Sequence, residues 1–434
     1  MPLIFLCGFV VIALWSLVGH RFARVGVAGP AVLLVAGAGL VFIDVAGFSA
    51  AVDSEGAEHV VELVLAVLLF VDACEVKGGF FGGEGRVVAR LVLIALPLSL
   101  LAVVFSGVLL LPQLNVLVLI VVACVVMPTD FAPAATLLRS PRIPARIRQI
   151  LNVESGYNDG LVSPVFGMAL AAAVALPALM TAADGGTLTT DGEAELEAQL
   201  EEFVTAFFGA VPATVGAILI GAVLGGLFGF LARGAVRRAW ADAAGIRYVM
   251  LLVPLIAFAV ATFSAVAANG FVAAFVAGIV YRLMRTRGTT EHTIPHAETL
   301  LVEEAGTLAA NLVWFVVGAM TTVVVINGVE PGVLLVALLA LTVFRVVPVY
   351  ISLLGSSVPW SSRTLVGFIG PRGTATIVFG LLAFNKLPED SAYDVLALTV
   401  FTVVGSIIVH GLIVPQIVNR RMPELAAPAS ADRV

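Results

Sequence analysis

The sequence predicts an all-α polytopic membrane protein of thirteen transmembrane helices, and three observations predict it. The chain of 434 residues is 60% apolar and only 12% charged, with a mean hydropathy of +1.10, where soluble domains average about 25% charged residues. Apolar runs reach the roughly 20 residues that a helix needs to cross a bilayer, and they recur along the whole length. Basic residues collect on alternate loops.

Span 1 is expected near residues 2–19. It has no basic leader and no clear cleavage site, so it reads as a retained span rather than a signal peptide. Spans 2 to 6 follow near 26–51, 60–76, 87–111, 114–138 and 149–180, and span 7 near 203–232. Spans 8 to 13 fall near 247–267, 270–284, 305–326, 331–354, 363–385 and 392–419. Residues 1–434 thus form one integral membrane unit, and the remaining 420–434 are expected to be a short cytoplasmic tail, too short for a core of its own. Cys7, Cys74 and Cys124 lie in or beside apolar runs and are expected to be buried, inert thiols.

The loops test the count. Those after the odd-numbered spans, together with the tail, hold 20 of the 23 Lys and Arg residues, whereas those after the even-numbered spans hold Lys386 alone. Arg345 and Arg372 lie within spans. One missed or invented span would destroy this alternation. The positive-inside rule then puts the N-terminus outside and the C-terminus in the cytoplasm. The loop 184–202 carries seven carboxylates and no base. It could concentrate cations at an entrance, but a solvated turn and short helix account for it more simply.

Ionisable groups at membrane depth are costly, so each raises a functional question. Six acids lie in or near spans (Asp44, Asp72, Glu75, Asp130, Glu154, Asp159), with two bases, Arg345 in "TVFRVVPVY" and Arg372 in "GFIGPRGTATIVFG". In span 5, "VVMPTDFAPAA" places Thr129 and Asp130 between Pro128 and Pro133, which remove backbone donors and break the helix. In span 12, Gly370, Pro371 and Gly373 surround Arg372. Broken backbone at that depth is tolerated where it is buried in protein or lines a cavity. Spans 5 and 12 are seven apart, and an odd offset reverses topology. They therefore read as discontinuous crossing helices in two inverted six-helix repeats, about 2–180 and 247–419, linked by span 7. Such a pair is the best sequence pointer to a secondary transporter's site.

Span 6 contains "NVESGYNDG". At about 100° per residue, Ser155 and Asp159 share one face, while Glu154 pairs by spacing with Asn158 on another. A hydroxyl beside a carboxylate suits a hard monovalent cation, which makes Asp159 the candidate titrating ligand. Glu154 is left for an arginine. A buried polar network that merely ties helices together would use the same residue types. Asp130, Ser155 and Asp159 on adjacent spans beside a helix break favour ion binding.

"PTD" in a broken fifth span, "ESGYND" in the sixth, an Arg-bearing eleventh and "GPRG" in the twelfth resemble the monovalent cation:proton antiporters of the NhaP/NHE type, over essentially the whole chain. The resemblance implies a sodium/proton exchanger in a plasma membrane, prokaryotic in type, working as a homodimer by alternating access. Asp159 and Asp130 would then be the ion- and proton-binding carboxylates, with Ser155, Thr129 and Asn158 completing that site. Glu154 would pair with Arg345, and Arg372 would serve the helix ends at the crossing. Asn158 stands where electrogenic relatives resembling NhaA carry a second aspartate, which implies electroneutral one-for-one exchange. Ala73 stands where a glycine is usual, and Gly156 and Tyr157 stand where many members of the family have a leucine or phenylalanine. Sodium, lithium and potassium accept the same oxygens, so a potassium/proton antiporter is the alternative within the fold. A proton-coupled solute symporter would need bases or amides at the midplane, where acids outnumber bases. A channel fits interrupted repeats less well than a carrier does. An intramembrane aspartyl protease would need two aspartates poised across one water. No cofactor, enzymatic activity, large regulatory domain or nucleic-acid partner is expected.

Overall fold

The computed structural model describes residues 3–24, 28–52, 54–75, 83–131, 143–183, 190–263, 265–289, 293–414 and 416. All regular structure among them is helical. Among the described residues, eight helices are long and apolar enough to cross a membrane, and they stand at spans 1, 4, 6, 7, 8, 10, 11 and 13. The other five places also hold helices. Span 2 is a bent pair, Gly29–Ile43 and Val45–Val52, turning through 116°. Span 3 is Glu55–Glu75 and span 9 is Gly270–Arg285. Span 5 is Val116–Val126 before its interruption, and span 12 is split into Trp360–Phe368 and Thr374–Lys386. The thirteen-span pattern is compatible with this set. The later part of span 5, with Pro133, lies outside the described residues, as do 184–189 and the tail from 417.

Several helices run past the ends expected from hydropathy. Span 10 starts at His296 rather than near 305, and span 3 at Glu55 rather than near 60. Charged residues at a helix's wet end remove the hydropathy signal without ending the helix. Span 7 begins at Thr190, so the backbone of the acidic stretch from there onward is its first turns. Asp44 stands at the bend of span 2 and caps its second helix, accepting from Gly47 N at 3.0 Å and, through its other oxygen, from Leu3 N at 3.2 Å. This acid serves the local backbone rather than a central site.

Lipid tails are as apolar as leucine, so packing rather than water exclusion must join these helices. Spans 7 and 9 show how. Gly221, Gly225 and Gly229 line one face of span 7, where any Cβ would run into the backbone of Ala273, Ala277 and Tyr281. The closeness of the two backbones depends on that stripe of small residues.

Two apolar clusters divide the end of the bundle that carries the basic loops. One joins spans 4, 6, 11 and 12 through Leu91, Ile147, Leu151, Val349 and Val366. The other joins spans 3, 7, 8, 9 and 10 through Phe70, Ala217, Met250, Tyr281 and Val302. Between them opens a cavity of about 890 Å³, with Val71, Cys74 and Met250 on one wall and Ala145, Asn152 and Val153 on the other. Toward the acidic loops a single continuous core binds both groups of helices.

Candidate functional site

The site is built where spans 5 and 12 lose their helical hydrogen bonds. Span 5 stops at Val126, two residues before Pro128, and residues 127–131 are not helical. Span 12 stops at Phe368 and restarts at Thr374, leaving 369–373 without helical structure. The freed backbone groups must find partners, because none is available from lipid. Asp130 N donates to Pro371 O at 2.9 Å, tying the two breaks together. The Asp130 carboxylate accepts from Thr374 N at 2.5 Å, at the start of the second helix of span 12. Arg372 Nε donates to Val126 O at 2.6 Å, at the end of the helix of span 5. Its other nitrogens reach Gly370 O and, at 3.2 Å, Ala340 O, while its backbone N donates to Ser406 Oγ at 2.7 Å. An anion therefore sits at a helix N-terminus and a cation at helix C-termini, each favoured by the local dipole.

Span 6 runs beside the crossing as part of the helix Ala145–Ala183. Ser155 Oγ donates to Thr129 O at 2.5 Å, and Asn158 Nδ2 donates to Thr129 Oγ1 at 3.0 Å. Asn158 thus shares a neighbour with Ser155, three residues away, and not with Glu154, as the one-helix geometry suggested. Spacing fixes angles along a helix but does not say which neighbour fills each angle, and Thr129 spans the roughly 60° between the two side chains. Glu154 faces Arg345 in a two-pronged ion pair, with Arg345 Nη1 on one carboxylate oxygen and Nη2 at 2.7 Å from the other. Both residues are buried, and Arg345 Nη2 also reaches Val366 O at 3.3 Å. A Cβ at Gly370 would lie 2.8 Å from Arg345 Nε, so the break in span 12 needs glycine there for the arginine to pass.

Asp159 is 3% exposed, and its Oδ1 accepts no hydrogen bond from the described residues. Asp130, Asp72 and Arg372 are close enough to act on it electrostatically. Asp72 on span 3 is half-buried and lies beside Gly156, where a Cβ would be 3.9 Å from that of Asp72. The large cavity is not lined by Asp72 or Asp159 themselves, but by Val71, next to Asp72, and by Asn152 on the helix of Asp159. It is lined also by Glu75, Arg148, Gln149, His296 and Glu303. Asn152 lies seven residues before Asp159 on the same helix face, about 10 Å along the axis. Glu75 is exposed and belongs to the mouth rather than to the centre. A second cavity, of about 600 Å³, lies between spans 1, 3, 10 and 12, where Phe9, Val61, Val313 and Leu381 give it an apolar lining. It includes none of the crossing residues.

The expected site residues Thr129, Asp130, Glu154, Ser155, Asn158, Asp159, Arg345 and Arg372 therefore stand in one buried region. Three features were missed from sequence. Arg282, counted with the basic loops although span 9 was expected near 270–284, is fully buried within the helix Gly270–Arg285. His410 is 1% exposed, and its Nδ1 lies 3.3 Å from Ser406 Oγ, the hydroxyl that holds Arg372. A histidine inside "GSIIVHGLIV" was a legible signal. Span 11 is also interrupted, at Thr342 (φ −123°, ψ −91°), two residues after Ala340, whose carbonyl Arg372 reaches.

Two interrupted membrane helices, crossing beside a buried carboxylate that one polar cavity approaches, define an ion-coupled secondary transporter. The chain belongs to the transmembrane sodium/hydrogen exchanger family, whose sequence profile matches residues 9–420. It is 24% identical over 384 residues to an Na(+)/H(+) antiporter of Schizosaccharomyces pombe, covering 81% of this chain and 75% of that one. Its fold is that of the sodium proton antiporter MjNhaP1 from Methanocaldococcus jannaschii. The structure of that protein at pH 8 gives a TM-score of 0.72 at 17% identity, covering 94% of this chain and 98% of the other. An electron-microscopy map structure of the same protein gives 0.70 at 16% identity, covering 98% and 99%.

Proposed function

We propose that this chain exchanges sodium or lithium for protons across a plasma membrane, one for one, through competition at Asp159. The observation that carries the proposal is the placement of Asp159: buried, with Oδ1 free of hydrogen bonds from the described residues, and on the helix face that leads out to the cavity. A carboxylate there carries a charge that burial penalises. Either a cation or a proton removes the penalty, and they exclude each other. The loaded site can cross the barrier and the empty charged site cannot, so the two fluxes are coupled without a further device. Family membership and the relatives' names support sodium and proton as the pair.

Ser155, Thr129, Asn158 and Asp130 supply oxygens near the ion, while Glu154 with Arg345, and Arg372, hold the interrupted helices in place. The loop charges orient the chain with the cavity open to the cytoplasm and the N-terminus outside. The helices around spans 5 and 12 then move against those around spans 3 and 7 to 10, and the latter form the homodimer.

The test is dye-monitored proton flux in proteoliposomes, with sodium, lithium and potassium added in turn. Asp159→Asn should abolish cation-driven flux while its elution profile and thermal unfolding match the parent. Robust exchange by that variant would sink the proposal, and flux driven by potassium alone would reassign the cation.

A further inference from the structure

One stripe of span 6 runs from the open end of the protein to its closed end. Asn152, Ser155, Asp159, Ser163 and Phe166 recur every three or four residues and so stay within about 80° of one another. Asn152 lines the cavity, whereas Asp159, Ser163 and Phe166 are all at most 4% exposed. What closes the stripe beyond Asp159 is specific. About 6 Å further along the axis, Ser163 Oγ and the Asn269 carboxamide bond in both directions, at 3.0 Å to Oδ1 and 2.9 Å from Nδ2. Another turn on, the Phe166 ring lies 4.8 Å from that of Phe379 on span 12, which in turn meets Phe271 on span 9 edge-on at 6.2 Å.

We infer that the Ser163–Asn269 pair, roofed by Phe166, Phe379 and Phe271, is the gate that separates Asp159 from the acidic-loop side. This inference rests on the exchange function proposed above and adds the residues that control access from that side. Parting costs Asn269 its Nδ2 bond to Ser163 but leaves its carbonyl oxygen and the serine hydroxyl with partners. Asn269 is the N-cap of span 9, where its Oδ1 also accepts from Phe271 N and Val272 N at 3.1 Å each, so its cap survives release of Ser163. A helical serine can turn its hydroxyl to the carbonyl four residues back, here that of Asp159. Pro164, next in the chain, has no N–H to give, which leaves span 6 weakest where it must bend. The aromatic layer contributes apolar contact without directional bonds, so it can slide. The three gate-bearing spans divide as the motion requires, with spans 6 and 12 on the crossing side and span 9 in the other cluster.

The test begins with Ser163→Cys and Asn269→Cys combined in a chain whose Cys7, Cys74 and Cys124 are replaced. Oxidation to the disulfide should cut cation-driven flux at least tenfold, and reduction should restore it, while neither single variant responds to oxidant. A disulfide-locked protein that exchanges at the reduced rate overturns the inference. A second arm needs no transport. Ser163→Cys alone, in oriented vesicles, should react slowly with an impermeant maleimide applied from the acidic-loop side, and at least tenfold faster once Phe271→Ala thins the roof. Fast labelling before that change, or none after it, also overturns the gate. If the parent shows no exchange with any cation, the functional proposal fails, while the labelling contrast still decides the gate.

Discussion

Asp130 and Arg372 each complete the helix that the other's span interrupts. Asp130 Oδ2 accepts from Thr374 N in span 12, and Arg372 Nε donates to Val126 O in span 5. The arrangement turns two broken helices, which would be a liability in lipid, into one cross-linked unit.

Arg372 serves three carbonyls from spans 5, 11 and 12, namely Val126, Ala340 and Gly370. Hydrogen bonds inside membrane proteins contribute roughly 0.6–1.7 kcal/mol each, so Arg372→Ala should lose about 3 kcal/mol. Arg372→Lys, with no planar fork to reach three acceptors, should recover less than half. Asp130→Asn keeps an acceptor for Thr374 N and should stay within about 1 kcal/mol of the parent. Thermal unfolding in detergent gives the ranking. A lysine variant as stable as the parent would show that one carbonyl, not three, matters.

Glu154 and Arg345 make a different kind of contact, a buried charge pair bonded at both prongs. Removing one partner strands a charge, which costs about 3–5 kcal/mol, whereas an apolar replacement of both can be nearly neutral. Glu154→Leu and Arg345→Met should each destabilise the fold strongly, and the double variant should be more stable than either. Additive losses in the cycle would show that the two charges are not coupled.

Much of this region was legible in sequence, and the failures have a common cause. The interruptions followed from Pro128 and from Gly370–Pro371, because missing donors and missing Cβ atoms act locally whatever the surroundings. The span pattern followed from hydropathy and the alternation of charge. The Glu154–Arg345 pair followed from the resemblance, but other partners did not. Asn158 turned to Thr129, Arg282 was drawn inside, and the break at Thr342 carries no glycine or proline to announce it. Each depends on a neighbouring helix whose position no single-helix pattern contains.

At the basic-loop end, one guanidinium edge of Arg146 bonds both carboxylate oxygens of Glu84, Nε at 2.5 Å and Nη2 at 2.9 Å. The hydrogen bond from Arg146 holds the Glu84 carboxyl below its ordinary range. A carboxyl lowered by folding adds stability above its unfolded value of about 4.3, and that stability disappears as pH falls through the lower folded value. Exposure and salt keep the effect below about 1 kcal/mol. Glu84→Gln should therefore lower the unfolding temperature slightly at pH 7 and not at all near pH 3. An equal deficit at both values would assign the loss to packing.

Asn158 carries the expectation about stoichiometry. It is 1% exposed, stands next to Asp159, and spends its Nδ2 on Thr129 Oγ1. Replacement by aspartate removes that donor, but the Thr129 hydroxyl can turn and donate instead, so Asn158→Asp should fold. It would place a second carboxylate beside the first. If one cation replaces one proton at Asp159, the parent moves no net charge and its flux should be the same with and without an imposed potential. With a second acid, two protons can exchange for one cation, and each turnover carries a charge worth about 2.3 kcal/mol per 100 mV. The variant's cation-driven flux in proteoliposomes should then rise or fall with the sign of a valinomycin-imposed potential. A parent already sensitive to voltage would refute one-for-one exchange. A variant that transports but ignores voltage would remove Asn158 from control of the stoichiometry and leave Asp159 as the competing site.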